Sequence, residues 1–121
     1  MIIRKDFSKT EKKFAVFLTI GFFDGVHLGH QKIIGEVVGG ARSARVKSCV
    51  VTFDRHPSEF FSGTTMRLLT SWEEKKDIFQ KLGVNILQVF TFDSSFACTS
   101  PEGFLRMLSE IFEVRKILVG E

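Results

Sequence analysis

A short apolar segment that ends at a glycine constrains this chain more than any other feature. Residues 14–20 read Phe-Ala-Val-Phe-Leu-Thr-Ile and are mostly aromatic or β-branched, with almost no polar interruption. Such a segment is typical of a strand buried on both faces of a parallel sheet, because helices then cover both sides. Gly21 marks the end of the strand, and the residues that follow predict a helix that begins near Leu28.

The turn between this strand and this helix carries two glycines and two histidines. Gly21 lacks a Cβ and would let a phosphate approach the backbone, while Gly25 permits the positive φ of a tight turn. His27 and His30 are three residues apart, so on the first helical turn they share a face beside unpaired backbone N–H groups. The helix dipole adds about half a positive charge there. The pattern therefore predicts an anion site, in which the histidines stabilise charge on a phosphoryl centre during nucleotidyl transfer.

Two other interpretations of the histidines stay open. A single histidine is commonly a solvated or hydrogen-bonded structural residue, although the spacing of the pair and the flanking glycines favour the phosphate site. Zinc binding is the second alternative, but His-x-x-His supplies two ligands where a structural zinc site needs four. Cys49 and Cys98 are distant from the pair and have no ligand spacing, so we interpret them as free, buried thiols of a reducing compartment.

Apolar segments alternate with amphipathic ones along the chain, which indicates successive βαβ units. The fold class expected is α/β and Rossmann-like, with a mostly parallel sheet and helices on both faces. Strands are predicted at 14–20, 46–53, 85–91 and 115–120, and helices after Leu28, after the Ser-x-x-Glu box at Ser71, and after Ser100.

Several side chains have competing structural roles. Lys75 is interpreted as a solvated residue on an amphipathic helix rather than a phosphate ligand. Phe92 and Phe96 follow a predicted strand and would either stack on a flat ligand or fill the core. The last predicted helix is expected to face the sheet with four apolar residues, Phe104, Leu105, Leu108 and Phe112.

Charge and hydropathy limit the classes of partner that this chain is expected to bind. The chain carries 17 lysines and arginines against 14 aspartates and glutamates, a net charge of +3. The basic residues are spread along the sequence, which favours an anionic small molecule over nucleic acid. No apolar segment approaches the ~20 residues needed to cross a bilayer, so we expect a cytoplasmic protein with no membrane partner.

Residues 19–30 resemble the signature of the nucleotidylyl transferase superfamily, with its His-x-Gly-His core. Within them, Phe-Asp-Gly-Val-His at 23–27 is similar to the bacterial FAD synthetases, the FMN adenylyltransferase module of bifunctional riboflavin kinase/FAD synthetases. The similarity continues through segments 50–57, 69–75, 92–97 and 100–104. It therefore covers nearly the whole chain.

The resemblance implies transfer of AMP from ATP to FMN, giving FAD and pyrophosphate, with Mg²⁺ accompanying ATP. It implies His27 and His30 as the catalytic pair. Asp24 has two alternative roles, a contact with Mg²⁺ or a helix cap that ties the loop, and we favour the second, so that no metal ligand is named. The ATP-binding residues implied are Gly21, Phe22, Phe23, Asp24, Gly25, His27 and His30, and those implied beside the flavin and nucleotide are Phe53, His56 and Pro57.

The same resemblance implies where the first helix ends and how much of the domain the chain contains. Its spacing extends the first helix through Gly39 and Gly40 to about Ala44, although glycine propensity alone would end it earlier. It implies one incomplete adenylyltransferase domain over 1–121, stopping after about the fourth strand and lacking the riboflavin kinase domain, so that the missing C-terminal part is expected to matter for turnover. A nucleotide-binding chain without turnover, and a nucleotidylyl transferase with another acceptor, are the alternatives.

Overall fold

The computed structural model describes residues 1–6, 13–23, 28–54 and 71–119. Five residues assigned to the site from sequence, Asp24, Gly25, His27, His56 and Pro57, lie outside these ranges. The strands are β1 (Ile2–Lys5), β2 (Phe14–Ile20), β3 (Lys47–Phe53), β4 (Ile86–Phe90) and β5 (Phe112–Leu118), and the helices are α1 (Leu28–Ala44), α2 (Trp72–Leu82), α3 (Ser94–Ala97) and α4 (Pro101–Ile111).

The described strands form one sheet in the order β1-β4-β3-β2-β5, and every neighbouring pair is parallel. From β2 the chain moves through β3 to β4 on one side, whereas β5 pairs with β2 on the other. The direction of winding therefore reverses between β2 and β5. In open α/β sheets a crevice forms at the carboxyl ends of the strands at such a switch point, and ligands bind there.

Helices cover both faces of the sheet, as the alternation of segments predicts. On one face, α1 and α2 pack over the sheet through fully buried residues such as Ile34 and Phe79. On the other face, α4 packs through Leu108 against Leu18 and Val51. The sheet is thus buried on both sides, which explains why its central strands read as almost continuous apolar segments.

The predicted helix boundaries are confirmed where local signals are strong. The Ser71 hydroxyl accepts a hydrogen bond from the Glu74 N–H at 3.2 Å, and Gly83 ends α2 with a φ of 91°. The Ser100 hydroxyl accepts from the Gly103 N–H at 3.0 Å at the start of α4. Helix α1 runs to Ala44, as the family spacing implies.

The glycines inside α1 differ in their surroundings. A Cβ built on Gly40 would lie 3.2 Å from two ring carbons of Phe17, so this glycine lets the helix approach β2 closely. Gly35 and Gly39 have nothing within 4 Å of the corresponding position. Helix α1 therefore continues through Gly39 and Gly40 because the face that carries Val37, Val38 and Gly40 packs against the sheet.

Some predictions from sequence are wrong. Strand β1 and the short helix α3 were not predicted, so the sheet has five described strands rather than four. Strand β5 begins at Phe112 rather than near 115, because Phe112 is fully buried in the sheet face that α4 covers. Leu105 is 45% exposed instead of facing the sheet, and Cys98 is exposed, whereas Cys49 is buried as predicted.

Within the described ranges, no helix combines the length and the apolar character that crossing a membrane requires.

Candidate functional site

The candidate site begins where the chain leaves β2. The Gly21 N–H donates to the Val51 carbonyl at 3.0 Å, which extends the pairing with β3 by one residue. The next carbonyl, that of Phe22, accepts two hydrogen bonds, from Thr52 Oγ1 at 3.2 Å and from Lys75 Nζ at 2.8 Å. Side chains from β3 and α2 thus fix the first residue of the turn.

The prediction that Lys75 is a solvated residue is wrong. Its side chain is 3% exposed, and its Nζ lies 3.9 Å from the centroid of the Phe22 ring in addition to bonding the carbonyl. Lys75 precedes the fully buried Phe79 by four residues, so both lie on the face of α2 that packs on the sheet. The spacing of Lys75 from Ile78, Phe79 and Leu82 is the signal that would have placed it inside.

The Phe23 ring is buried against His30 and Phe79. The residue has a φ of 61°, a left-handed conformation that costs of order 1–3 kcal/mol for a residue with a side chain. Its ring is buried and meets His30 edge-on, with centroids 5.2 Å apart, and Phe79 likewise at 5.9 Å. The ring also occupies the space beside Gly21, where a Cβ would lie 2.9 Å from Phe23 Cζ. The missing side chain of Gly21 therefore makes room for Phe23, which is a packing reason that sequence reasoning did not supply.

A cleft of about 570 Å³ opens above this turn, and we call it the polar cleft. Helix α1 contributes His30, Lys32 and Glu36 to its wall, and Val119 reaches it from the end of β5. It therefore lies at the switch point between β2 and β5. The full lining is Thr19, Ile20, Gly21, Phe22, Phe23, Gly29, His30, Lys32, Ile33, Glu36 and Val119.

Four of the residues assigned to ATP binding from sequence line the polar cleft: Gly21, Phe22, Phe23 and His30. The other three, Asp24, Gly25 and His27, lie outside the described residues. The convergence of His27 and His30 on one group thus stays a prediction.

A second cleft of about 430 Å³ lies on the α4 side of the same sheet edge, and we call it the apolar cleft. It is lined by Ile20, Phe53, Phe96, Thr99, Ser100, Pro101, Phe104 and Leu105. The phenylalanine rings pack on one another, with the Phe96 centroid 5.4 Å from that of Phe53 and 5.3 Å from that of Phe104. They form an aromatic wall.

The apolar cleft separates the two alternatives for the phenylalanines after β4. Phe96 lines the cleft, whereas Phe92 is buried behind it, with its ring centroid 5.9 Å from that of Phe53. Sequence reasoning assigned Phe104 and Leu105 to the core alone and missed their place in the cleft. The cap at Ser100 was the available signal, since it starts a helix just after a loop on the ligand edge.

The clefts share Ile20, the last residue of β2. Because α1 and α4 cover opposite faces of the sheet, the clefts lie on opposite faces of this strand end, the polar cleft toward α1 and the apolar cleft toward α4. A ligand in each would approach the other around the end of β2.

Carboxylates at this sheet edge serve the fold. Asp54 Oδ1 accepts from the Phe92 N–H at 3.0 Å, and Asp6 Oδ1 accepts from the Thr91 N–H at 2.8 Å. Both bonds fix the segment that follows β4. Across residues 1–6, 13–23, 28–54 and 71–119, no cluster of three or more His, Cys, Asp or Glu side chains would hold a metal ion.

The described cysteines offer no nucleophile to either cleft. Burial raises the pKa of the Cys49 thiol, with the charge of Arg4 opposing the shift, so this thiol stays protonated at neutral pH. Cys98 is exposed and lines neither cleft.

An all-parallel sheet of the described strands wound in this order, with a polar cleft at its switch point, defines an α/β protein of Rossmann-like type. Residues 9–121 match the family model described as FAD synthetase, and the chain belongs to that family.

Similar proteins of known sequence agree with this assignment. The chain is 36% identical over 105 residues to the bifunctional riboflavin kinase/FMN adenylyltransferase of Listeria monocytogenes, covering 85% of this chain and 33% of that protein. It is 38% identical over 90 residues to the protein of the same name from Bacillus subtilis, covering 73% and 28% respectively. The chain thus spans about a third of the length of these curated relatives.

A solved structure supports the fold alone. The crystal structure of a macrolide-efflux protein from Streptococcus pneumoniae superposes with a TM-score of 0.86 at 20% identity, over 98% of this chain and 48% of that one.

Proposed function

We propose that this chain forms the adenylyl-transfer part of an FAD synthetase. An oxygen of the FMN phosphate attacks the α-phosphorus of ATP, the bond to the bridging oxygen breaks, and pyrophosphate leaves with the electron pair, giving FAD. The observation that carries the proposal is the pair of clefts that share Ile20. Membership of the FAD synthetase family and relatives named as FMN adenylyltransferases support it.

The polar cleft is the proposed ATP site. His30 and Lys32 supply donors for phosphate oxygens beside the start of α1, where the helix dipole favours negative charge. His27 is expected to join His30, and together they would offset the charge that builds up on the phosphorus. Because the His30 ring packs edge-on against Phe23, this imidazole is held in place before that charge develops.

Mg²⁺ is proposed to arrive with ATP as part of the substrate. Magnesium sites of this type use the substrate phosphates, waters and one or two carboxylates rather than a full cage of protein ligands. The donor set fits this pattern, since Glu36 is the one carboxylate among the described residues that line the polar cleft.

The apolar cleft is the proposed site of the isoalloxazine ring of FMN. Phe53, Phe96 and Phe104 offer aromatic faces and edges to a flat ring system. His56 and Pro57, which follow β3 in the sequence, are proposed to complete the wall. With the ring there, the FMN phosphate would extend past Ile20 toward the polar cleft.

The proposed location is the cytoplasm, a reducing compartment that suits the free thiols of Cys49 and Cys98.

The test is whether the chain forms FAD from FMN and Mg·ATP. The reaction is measured by chromatography of FAD and by the release of pyrophosphate. His27→Ala and His30→Ala should each lower the rate at least ~10²-fold. Lys81→Ala is the matched control, because Lys81 pairs with Asp77 on the exposed side of α2 and lines neither cleft. Its rate should equal that of the wild type.

Three results would contradict parts of the proposal. Unchanged rates in both histidine variants would remove their assigned role. Calorimetric binding of Mg·ATP without any FAD would reduce the chain to a nucleotide-binding module. Product formed with phosphopantetheine or nicotinamide mononucleotide instead of FMN would assign a different acceptor.

A further inference from the structure

We propose that Lys75 is a positioning residue for the turn between β2 and α1, and that it acts on nucleotide binding through Phe22. The structural part of this inference is independent of the proposed function, whereas its consequence for ATP depends on it.

The burial of Lys75 is unusual enough to need an explanation. A buried ammonium loses its hydration, and an apolar side chain of similar volume is often as stabilising or more so. Only 3% of Lys75 is exposed. Its Nζ makes a hydrogen bond of 2.8 Å to the Phe22 carbonyl and lies 3.9 Å from the ring of the same residue. Its charge is thus directed at both the backbone and the side chain of Phe22.

The contacts of Phe22 determine the path of the chain beyond the sheet. Thr52 Oγ1 bonds the same carbonyl at 3.2 Å from β3, so this carbonyl is held from two elements. The residue that follows, Phe23, adopts the left-handed backbone conformation, which persists only where its surroundings enforce it. Lys75 and Thr52 supply that enforcement on the N-terminal side.

Phe23 transmits this constraint to His30. Its buried ring meets the His30 imidazole edge-on at 5.2 Å between centroids. If the Phe22 carbonyl were released, Phe23 could relax from its strained conformation, and its ring would no longer support His30. Lys75 therefore acts on a residue of the polar cleft without lining that cleft.

The first experiment measures amide hydrogen exchange by mass spectrometry on the whole chain. In Lys75→Met, the hydrogen-bonded amides of Gly21 and of the first paired turn of α1, residues 32–35, should exchange at least about 10-fold faster, while those of α4 keep the wild-type rate. Lys75→Arg retains a charged donor, so its increase in exchange should be smaller than that of Lys75→Met. Thr52→Val is the matched control, because it removes the neutral hydrogen bond to the same carbonyl, and its effect should be smaller than that of Lys75→Met.

The second experiment measures binding of Mg·ATP and of FMN by calorimetry at a temperature well below unfolding. Lys75→Met should raise the Kd for Mg·ATP at least about 10-fold and change that for FMN less than about 2-fold. A residue needed only for global stability would change neither. If Lys75→Met fails to fold, Lys75→Gln replaces it in both experiments, because it removes the charge but keeps a polar donor.

Distinct outcomes overturn distinct statements. Unchanged exchange of the Gly21 and 32–35 amides, or an equal increase in α4, would remove the positioning role. Faster exchange with unchanged affinity for Mg·ATP would remove the link to nucleotide binding. Absence of Mg·ATP binding by the wild-type chain would count against the proposed function, while the exchange data would still decide the positioning role of Lys75.

Discussion

The contact between Gly21 and Phe23 gives the most direct test of how the turn is built. A methyl group on Gly21 would lie 2.9 Å from Cζ and 3.0 and 3.2 Å from the two Cε atoms of the Phe23 ring. The ring is confined on its other sides by Phe79 and His30, so it cannot move away without disturbing them. Overpacking of this kind costs about 1–3 kcal/mol. We therefore expect Gly21→Ala to lower the free energy of unfolding by that amount.

Urea unfolding followed by circular dichroism measures this cost, and a double-mutant cycle assigns it to the ring. In a Phe23→Leu background, Gly21→Ala should cost less than about 0.5 kcal/mol, because the ring atoms it would meet are gone. Gly35→Ala is the control for adding a methyl group. Nothing lies within 4 Å of that position in α1, so the variant should be more stable by about 0.8–1 kcal/mol.

Two results would refute the reasoning in different ways. An equal cost of Gly21→Ala in both backgrounds would mean that Phe23 is not the obstacle. If Gly21→Ala left the stability unchanged but abolished Mg·ATP binding, Gly21 would instead have the role predicted from the sequence, which is to let a phosphate approach the backbone closely.

Four further predictions follow from the surroundings of single residues. In urea unfolding, Gly39→Ala should stabilise the fold by about 0.8–1 kcal/mol. Gly40→Ala should show no such gain, because its methyl group would lie 3.2 Å from the Phe17 ring. A thiol reagent should label Cys98 in the native state and Cys49 only after unfolding. Because the folded state keeps the Cys49 proton that the unfolded chain loses, the free energy of unfolding should fall as pH rises above about 8.5, and Cys49→Ala should flatten that slope. Ser71→Ala should cost about 1 kcal/mol through the lost cap.

Elements with strong local signals could be predicted from sequence. The bounds of β2 match because an uninterrupted apolar segment ends at a glycine, and α2 matches because Ser71 and Gly83 mark both its ends. Helix α1 needed the family spacing as well, since propensity opposes a helix through two adjacent glycines.

Strand β1 could not be predicted because its evidence is not local. It has four residues, two of them charged, and it forms by pairing with β4 in a register that joins Ile2 to Ile86. Gln88 Nε2 then donates to the Asp6 carbonyl at 2.8 Å just beyond the strand. Gln88 and Asp6 are 82 residues apart in sequence, so no short window contains both partners.

The candidate site likewise combines residues that could be predicted from local sequence with residues that could not. Four residues that the signature at 19–30 assigned to the site, Gly21, Phe22, Phe23 and His30, line the polar cleft, because they lie close together in the sequence and their chemistry is visible there. Lys32, Glu36 and Val119 line it as well and lie outside the signature. The groups that hold the turn come from elsewhere, Thr52 30 residues and Lys75 53 residues from Phe22. Periodicity assigns polar residues to the surface by default, so it misplaces a lysine whose charge is used inside. The geometry of the turn therefore depends on α2 as well as on the signature, and substitutions on the inner face of α2 should alter ATP binding although that helix contributes no side chain to the polar cleft.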